Sequence, residues 1–587
     1  MKLYLTKINL QVSNAKLTVL KKLLFLLSSF LFGHILFAQK ENEKYQLHIK
    51  KASSSIKVDG IMDEQAWKEA EVAADFFMVL PMDTSHAKVK TEVRMSYDGE
   101  NLYLMATCLH KQDQKYMVES LKRDFVFGKN DNFLLFMDPF DDQTNGFSFG
   151  VNAAGAQWDG MMYEGGKVDL SWDNKWISVV KNYPDRWIFE ASIPFKSIRY
   201  KKGIKTWGIN FSRLDILIAE KSSWAPVPRQ FPTASLAYSG SLVWDEPPPE
   251  AGANISIIPY VLGGVTKNYE AKKAADYKTE IGVDAKIAVT SSLNLDLTVN
   301  PDFSQVEVDR QVTNLDRYEL FFPEKRQFFL ENGDHFSNFG YANIRPFFSR
   351  RIGLNAPINF GARLSGKIDK DWRIGLMDMQ TGKVDSVELP GQNFAVIALQ
   401  RRVFSRSNIG FLFVNKQSVN YHPADTAKYK YSSFNRNFGF EYNLASANNL
   451  WTGKAMLLKS FSPGEPGNNW VHAANLQYTT RKWALAWQHE YVGKNYSAEV
   501  GYVPRNNYIK IAPSIRRLFF PKSGKVLSHG PWVYGEYYFT PAMYQTDHNN
   551  IFLYLVNFRN QSVFDVWAGD VFVELLQPFD PTNSGKD

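Results

Sequence analysis

Cysteine is almost missing from this chain, with Cys108 the single example in 587 residues. That excludes an internal disulfide, and with it a disulfide-stapled scaffold. Cys108 lies in the strand-like stretch Leu102 to Leu109 and reads as a small buried apolar residue rather than a nucleophile. The ten histidines are scattered, and neither HExxH nor HxH occurs, so the usual zinc chemistry has no ligand set. Charge of one sign never gathers either. Against 68 Lys and Arg stand 60 Asp and Glu, a formal +8 without a basic stripe, which argues against a nucleic-acid partner. Long apolar runs are absent beyond Phe37, and the mean hydropathy is −0.31. Past that point only a closed sheet could span a membrane, because every backbone polar group in lipid needs an internal partner.

Aromatic residues are abundant: 43 Phe, 28 Tyr and 15 Trp. They fall in period-2 segments. Leu293, Leu295, Leu297 and Val299 alternate with Asn294, Asp296, Thr298 and Asn300; Trp483, Leu485, Trp487 and Tyr491 oppose Ala484, Ala486, Gln488 and Glu490; Ala474, Leu476 and Tyr478 oppose Asn475, Gln477 and Thr479. Each is a strand with one oily face and one wet or small face. Trp and Tyr recurring along the oily face suit a lipid-facing wall with interfacial girdles; a secreted sandwich is the alternative. The fold class expected is all-β, an N-terminal β-sandwich followed by an antiparallel transmembrane β-barrel, with the barrel incomplete as one version of that expectation.

Four regions follow. Residues 1–38 read as a signal peptide: Lys21 and Lys22 precede the apolar Leu23 to Phe37, and cleavage falls after Ala38. The run is shorter than the roughly 20 residues a spanning helix needs, and no cysteine follows Ala38 to carry a lipid. Residues 39–243 hold short strands and turn signals such as Tyr97-Asp98-Gly99 and Asn145-Gly146. Residues 244–253, with Pro247-Pro248-Pro249, form a stiff spacer. Few contacts are expected to cross it, so the first region should fold alone. Residues 254–587 carry the long-strand pattern. Val571 to Gln577 reads as a strand, but the last residues are turn-forming and charged, so the chain is expected to be a fragment or to leave its last strand unpaired.

Val58-Asp59-Gly60 through Trp67, Val93 through Leu104, Asp131-Asn132-Phe133 to Asp138, and Trp187-Ile188-Phe189-Glu190 to Phe195 together resemble family 9 carbohydrate-binding modules over roughly residues 48 to 243. Asp63 is read as the cap of a short helix that turns Trp67 inward. The resemblance implies a sandwich that binds sugars. Asn300-Pro301-Asp302-Phe303 and Phe321-Phe322-Pro323-Glu324-Lys325-Arg326 through Asn332 resemble a family of Bacteroidetes outer-membrane proteins that pair such a module with a C-terminal barrel domain of unknown function.

A sugar site needs a flat apolar platform and fixed polar groups. The stretch Asn152 to Trp176 is richest in both, holding Asn152, Gln157, Trp158, Asp159, Tyr163, Trp172, Asp173 and Trp176. Because the resemblance implies a sugar held between two tryptophans, Trp158 with Trp172 or Trp176 is the candidate pair; the competing reading is core packing. Arg123 and Asp124 could reach this site, though a surface ion pair is the favoured reading. Asp138, Asp141 and Asp142 beside Asn145 form an acidic turn that could hold a structural calcium ion, though an exposed hairpin tip is the favoured reading; no other cofactor or metal is expected. The charged and aromatic segment Pro301 to Arg351 is either a plug in a barrel lumen, a surface loop, or two further strands. No carboxylate pair stands out as the two-acid machinery of a glycosidase. The sequence therefore reads as an exported, cell outer-membrane carbohydrate-binding protein taking part in glycan capture or uptake, with an oligo- or polysaccharide and outer-membrane lipid as partners. A membrane-associated glycoside hydrolase acting on xylan-like polysaccharide, and an assembly or scaffold protein, are its rivals.

Overall fold

The computed structural model describes residues 40–113, 115–250, 255–270, 272–303, 306, 309–314, 317–330, 332–421, 431–560 and 562–575. The proposed leader and the last twelve residues lie outside them. No helix among the described residues is long and apolar enough to cross a membrane.

The first region is a two-sheet sandwich. One sheet pairs, in order, Gly240–Trp244, Thr206–Asp215, Asn132–Asp138, Gly146–Asn152, Gln157–Tyr163 and Lys167–Asp169; the other pairs Thr91–Tyr97, Asn101–Leu109, Arg186–Pro194 and Ile177–Asn182. The strand Gln46–Lys51 switches sheets partway, its first half parallel to Gly240–Trp244 and its end parallel to Thr91–Tyr97. Between the sheets lie Val93, Leu104, Phe133, Leu135, Phe149, Phe189 and Phe211. A second apolar layer of Phe125, Leu134, Phe136, Trp158 and Leu236 covers the far face of the first sheet. Asn132–Asp138 is therefore buried on both faces, and its sequence runs apolar without alternating. Cys108 is buried in this core, as expected.

The family-9-like motifs turn out to hold the sandwich together. The Glu190 carboxylate accepts hydrogen bonds from Asp59 N at 2.9 Å, Gly60 N at 2.8 Å and Trp67 Nε1 at 3.0 Å. Asp98 accepts from the amides of Glu100 and Asn101, both at 2.8 Å, and closes the hairpin foreseen at Tyr97-Asp98-Gly99. Trp67 is indeed inside. The helix Gln65–Glu69 starts one residue later than expected: its N-cap position is Glu64, without a side-chain cap, so Asp63 plays no capping role.

The second region is a sheet of fifteen strands running from Ile255–Thr266 to Val563–Val573 in chain order, each antiparallel to the next. The outer edges of the first and last strands pair with no strand among the described residues. On part of this sheet burial is inverted relative to the sandwich. On Leu293–Val299 it is Asn294, Asp296 and Thr298 that are buried. On Phe434–Ala445, Asn435, Asn437 and Glu441 are buried, whereas Phe438 and Phe440 are exposed. Leu457, Trp470, Leu476, Trp483, Trp487, Ile515 and Phe552 extend this exposed apolar face from strand to strand.

The segment from Pro301 to Arg351 covers the other face. Among its described residues are three helical turns, Gln327–Leu330, Asp334–Ser337 and Ser349–Arg351, and no strand pair of the kind allowed for in the sequence. Phe329, Phe336, Phe339, Ile344 and Phe347 pack on Met377, Phe394, Leu412, Leu458 and Val471. Arg373 grips Asp334 with two bonds of 2.6 and 2.7 Å, and Asn332 donates to Ser365 Oγ at 2.9 Å.

Among the described residues no strand before the proline run pairs with one after it. The expectation that few contacts cross is overturned, because residues from Lys40 onward form one compact unit. Arg481 pairs with Asp83 at 2.5 Å, Lys367 pairs with Asp142, and the Tyr238 hydroxyl donates to Asn448 O at 2.6 Å. The Arg229 guanidinium lies 4.3 Å over the Phe520 ring. Loops from both regions supply complementary charge and aromatic surface, which a bare spacer argument leaves out.

Candidate functional site

The tryptophans singled out by the sequence do not form a sugar platform. Trp172 and Trp176 lie in the core between the sheets, 4 % and 7 % exposed, edge-on or tilted against Phe147, Phe149 and Phe189. Trp158 belongs to the separate layer with Phe125 and Phe136. The pair is thus split between two clusters, and no member has an open indole face on which a sugar ring could stack. Core packing accounts for all three.

The polar candidates are brought together but mostly spent on one another. Arg123 donates to Gln157 Oε1 at 2.9 Å and to Asp159 Oδ1 at 2.5 Å, and Asp173 lies 2.6 Å from its Nε. Its partners are therefore Asp159 and Asp173, not the adjacent Asp124. Burial pushes the Asp159 carboxyl up to about 6, against the pull of Arg123. Gln157 also donates to Ser178 Oγ at 3.0 Å. Asn152 is fully buried; it accepts from Ala154 N and Ala156 N and donates to Ser120 O at 2.7 Å, so it shapes a turn.

Of the three acidic residues in the turn only Asp141 is exposed. Asp138 and Asp142 are buried. Asp142 accepts from Thr144 N at 2.9 Å and Thr144 Oγ1 at 2.6 Å, and Lys367 from the fifteen-stranded sheet occupies its other oxygen. Although burial opposes its charge, Lys367 and the Thr144 donors hold Asp142 below the usual carboxylate range. Burial, then the charges of Asp142 and Asp141, push Asp138 well above it. Among the described residues no group of three His, Cys, Asp or Glu is placed to hold a metal ion.

A cavity of about 750 Å³ lies where the sandwich, the Pro301 to Arg351 segment and the inner face of the sheet meet. The sandwich contributes Asn145 and Tyr163, the covering segment Asn338 and Tyr341, and the strands Asn408, Asn443, Asn475 and Gln477. Of the rich stretch Asn152 to Trp176, Tyr163 is the aromatic that reaches it. The charged groups on its wall are committed to partners. Glu441 faces Lys454 at 3.3 Å, Glu164 pairs with Lys167 at 2.6 Å, and Asp334 is held by Arg373. Arg406 donates to Asn449 Oδ1 at 2.9 Å and to Ser446 O at 3.2 Å. Gly340 is required here: its φ is +95°, an added Cβ would overlap the Ile344 carbonyl, its amide donates to Glu441 at 3.1 Å, and its carbonyl accepts from Lys454 at 3.0 Å.

The amides form a partly used network. Asn408 Oδ1 accepts from both Gln400 and Asn443 at 2.9 Å, and Asn475 Oδ1 accepts from the Tyr341 hydroxyl at 3.2 Å. No sequence motif announces this wall, because its residues run from Asn145 to Gln488 and meet through register and docking. The nearest signal was the polar half of the alternation, which includes Asn475, Gln477 and Gln488.

Residues 252–374 match a family described as a domain of unknown function, DUF5916. No curated protein matches the chain. Solved structures similar to it include a carbohydrate-binding module of family 9 from Caldicellulosiruptor kristjanssonii in complex with cellotriose, at 13 % identity and a TM-score of 0.26, covering 34 % of this chain and 94 % of that one. The same organism's module in complex with glucose gives 14 %, 0.25, 34 % and 96 %. A candidate carbohydrate-binding protein from Bacteroides uniformis ATCC 8492 gives 16 %, 0.29, 34 % and 99 %.

Proposed function

We propose that this chain is an outer-membrane carbohydrate-binding protein that captures glycans at the cell surface. The observation that carries the membrane half is the inverted burial of the fifteen-stranded sheet: Phe438, Phe440, Trp483 and Trp487 face outward while Asn435, Asn437 and Asp296 are buried. Water does not stabilise a continuous apolar surface of this extent, whereas lipid does. The carbohydrate half is supported by the family-9-like motifs and by the amide-lined cavity beside the sandwich. Binding is favoured over hydrolysis because the cavity-wall carboxylates among the described residues, Glu164, Asp334 and Glu441, are each ion-paired, so no unpaired acid and base face each other there across a glycosidic bond. The test has two arms. The protein should fractionate with the outer membrane and migrate differently in detergent gels before and after boiling, and the full chain in detergent should retain neutral oligosaccharides on a glycan array. Recovery as a soluble periplasmic protein would end the membrane assignment, and an array without hits would end the carbohydrate assignment.

A further inference from the structure

We infer that the glycan seat is the cavity between the sandwich and the sheet, and that it takes a short neutral oligosaccharide; this rests on the carbohydrate reading above. The volume, about 750 Å³, falls within the roughly 300–1,000 Å³ typical of small-molecule sites. The chemistry of the wall then selects the ligand. An apolar ligand would bury Asn408, Asn443, Asn475 and their neighbours without replacing their water. An anionic one would need uncommitted cations. Lys454, Lys167 and Arg373 are each matched to a carboxylate. Arg406 and Arg345 spend donors on carbonyl oxygens, and Arg345 also stacks 4.3 Å over Phe321.

A sugar hydroxyl both donates and accepts, and so does a side-chain amide. The hydrogen bonds already made leave amide capacity over: the Asn408 carbonyl is used twice, and the Asn475 carbonyl takes the Tyr341 hydroxyl, so their NH₂ groups remain for hydroxyl oxygens. Tyr163 and Tyr341 on the same wall supply the apolar surface that the C–H face of a pyranose ring prefers. The seat is composite, since the sandwich and the sheet each contribute to it. That explains why no single region shows a complete sugar site.

The experiment measures binding of cellotriose, xylotriose, maltotriose and trigalacturonate to the full chain in detergent by calorimetry. At least one neutral trisaccharide should bind, and trigalacturonate should bind more weakly than that sugar. Gln477→Ala and Asn475→Ala should each weaken it at least fivefold, and the double variant should abolish measurable heat. Tyr163→Ala, on the sandwich side, provides an independent check should the strand variants lose their heat-dependent gel shift. Unaltered affinity in folded Gln477→Ala, Asn475→Ala and Tyr163→Ala proteins, with loss in Arg123→Ala, would move the seat into the sandwich and overturn this inference while leaving the carbohydrate reading intact. Preference for trigalacturonate would overturn the neutral-ligand claim. Failure of all four sugars, joined to an empty glycan array, would remove the carbohydrate reading itself.

Discussion

Two strands of similar aromatic content behave in opposite ways. Asn132–Asp138 in the sandwich buries Phe133, Leu134, Leu135 and Phe136 on both faces, whereas Phe434–Ala445 in the large sheet exposes Phe438 and Phe440 and buries Asn435 and Asn437. Period-2 alternation says that two faces differ; it does not say which one the protein hides. In the sandwich, water sets the rule and apolar groups go inside. In the sheet the inner face meets the Pro301 to Arg351 segment, and polar groups such as Asn435 and Asn437 are held there by hydrogen bonds. Asn437 donates to Asn435 Oδ1 at 2.9 Å, and Asn435 donates to Ser462 Oγ and Ser497 O.

The largest expected effect probes those inner polar groups. Asp296 and Arg363 stand directly opposite in register on neighbouring strands and pair at 2.7 Å, with Arg363 1 % exposed. Asp296→Ala would leave a buried guanidinium without its carboxylate, a loss of about 3–5 kcal/mol. Denaturant titration of the detergent-solubilised protein measures it. A cost under about 1 kcal/mol would mean that water reaches this face freely, and the inverted-burial argument would lose its basis.

The outer face gives the next contrast. Phe440→Arg should cost about 2–4 kcal/mol in a bilayer if that side chain meets lipid, and the fraction of protein showing the heat-dependent gel shift should fall accordingly. Ile177→Lys, at an equally exposed position on the sandwich, should stay within about 0.5 kcal/mol of wild type. Equal effects at the two sites would erase the distinction between a lipid-facing and a water-facing surface.

These two sites also mark what the sequence made legible. Leu293–Val299 could be placed as a strand, and its two faces told apart, from its own letters. The Asp296–Arg363 pair could not, since the partners are far apart in sequence and meet through sheet register. Composition cannot distinguish an indole on a surface from one in a core, and the buried neighbours that decide it for Trp158, Trp172 and Trp176, among them Phe125, Phe149 and Phe189, lie elsewhere in the chain. The acidic turn was misread for the same reason: its buried partner Lys367 comes from the other sheet. The segment Pro301 to Arg351 was recognised as unusual by its aromatics, while its seat on the sheet depended on Met377, Phe394 and Leu412.

Glu190 sharpens the comparison from the sandwich side. Burial pushes its carboxyl from 4.5 up to about 7, although three N–H donors pull the other way. A carboxyl raised in the folded state binds its proton more tightly there than when unfolded, so its contribution is fully present below pH 4.5 and is lost as pH rises through about 7. The loss is at most about 3 kcal/mol, taking 1.36 kcal/mol per unit. Glu190→Gln keeps the acceptor for the Asp59 and Gly60 amides but cannot titrate. The difference in thermal midpoint between wild type and variant should therefore change between pH 5 and 8, with wild type losing ground as pH rises. A difference curve flat across that range would contradict the assignment.

The smallest effect is expected where the two regions touch in water. Arg481 and Asp83 approach to 2.5 Å, but the Arg481 side chain is 41 % exposed. An exposed pair repays little beyond the entropy of holding two side chains still, so Arg481→Ala should cost about 0.2–1 kcal/mol. Asp83 would keep the Arg229 amide as a donor, and Arg229 would keep its place over Phe520, so the docked arrangement should survive. Limited proteolysis near the proline run, compared between wild type and variant, reads this directly. An unchanged cleavage rate fits a junction held by several independent contacts. Rapid cleavage in the variant would mean that one surface ion pair carries the docking of the sandwich, and a seat built from both regions would then depend on salt concentration.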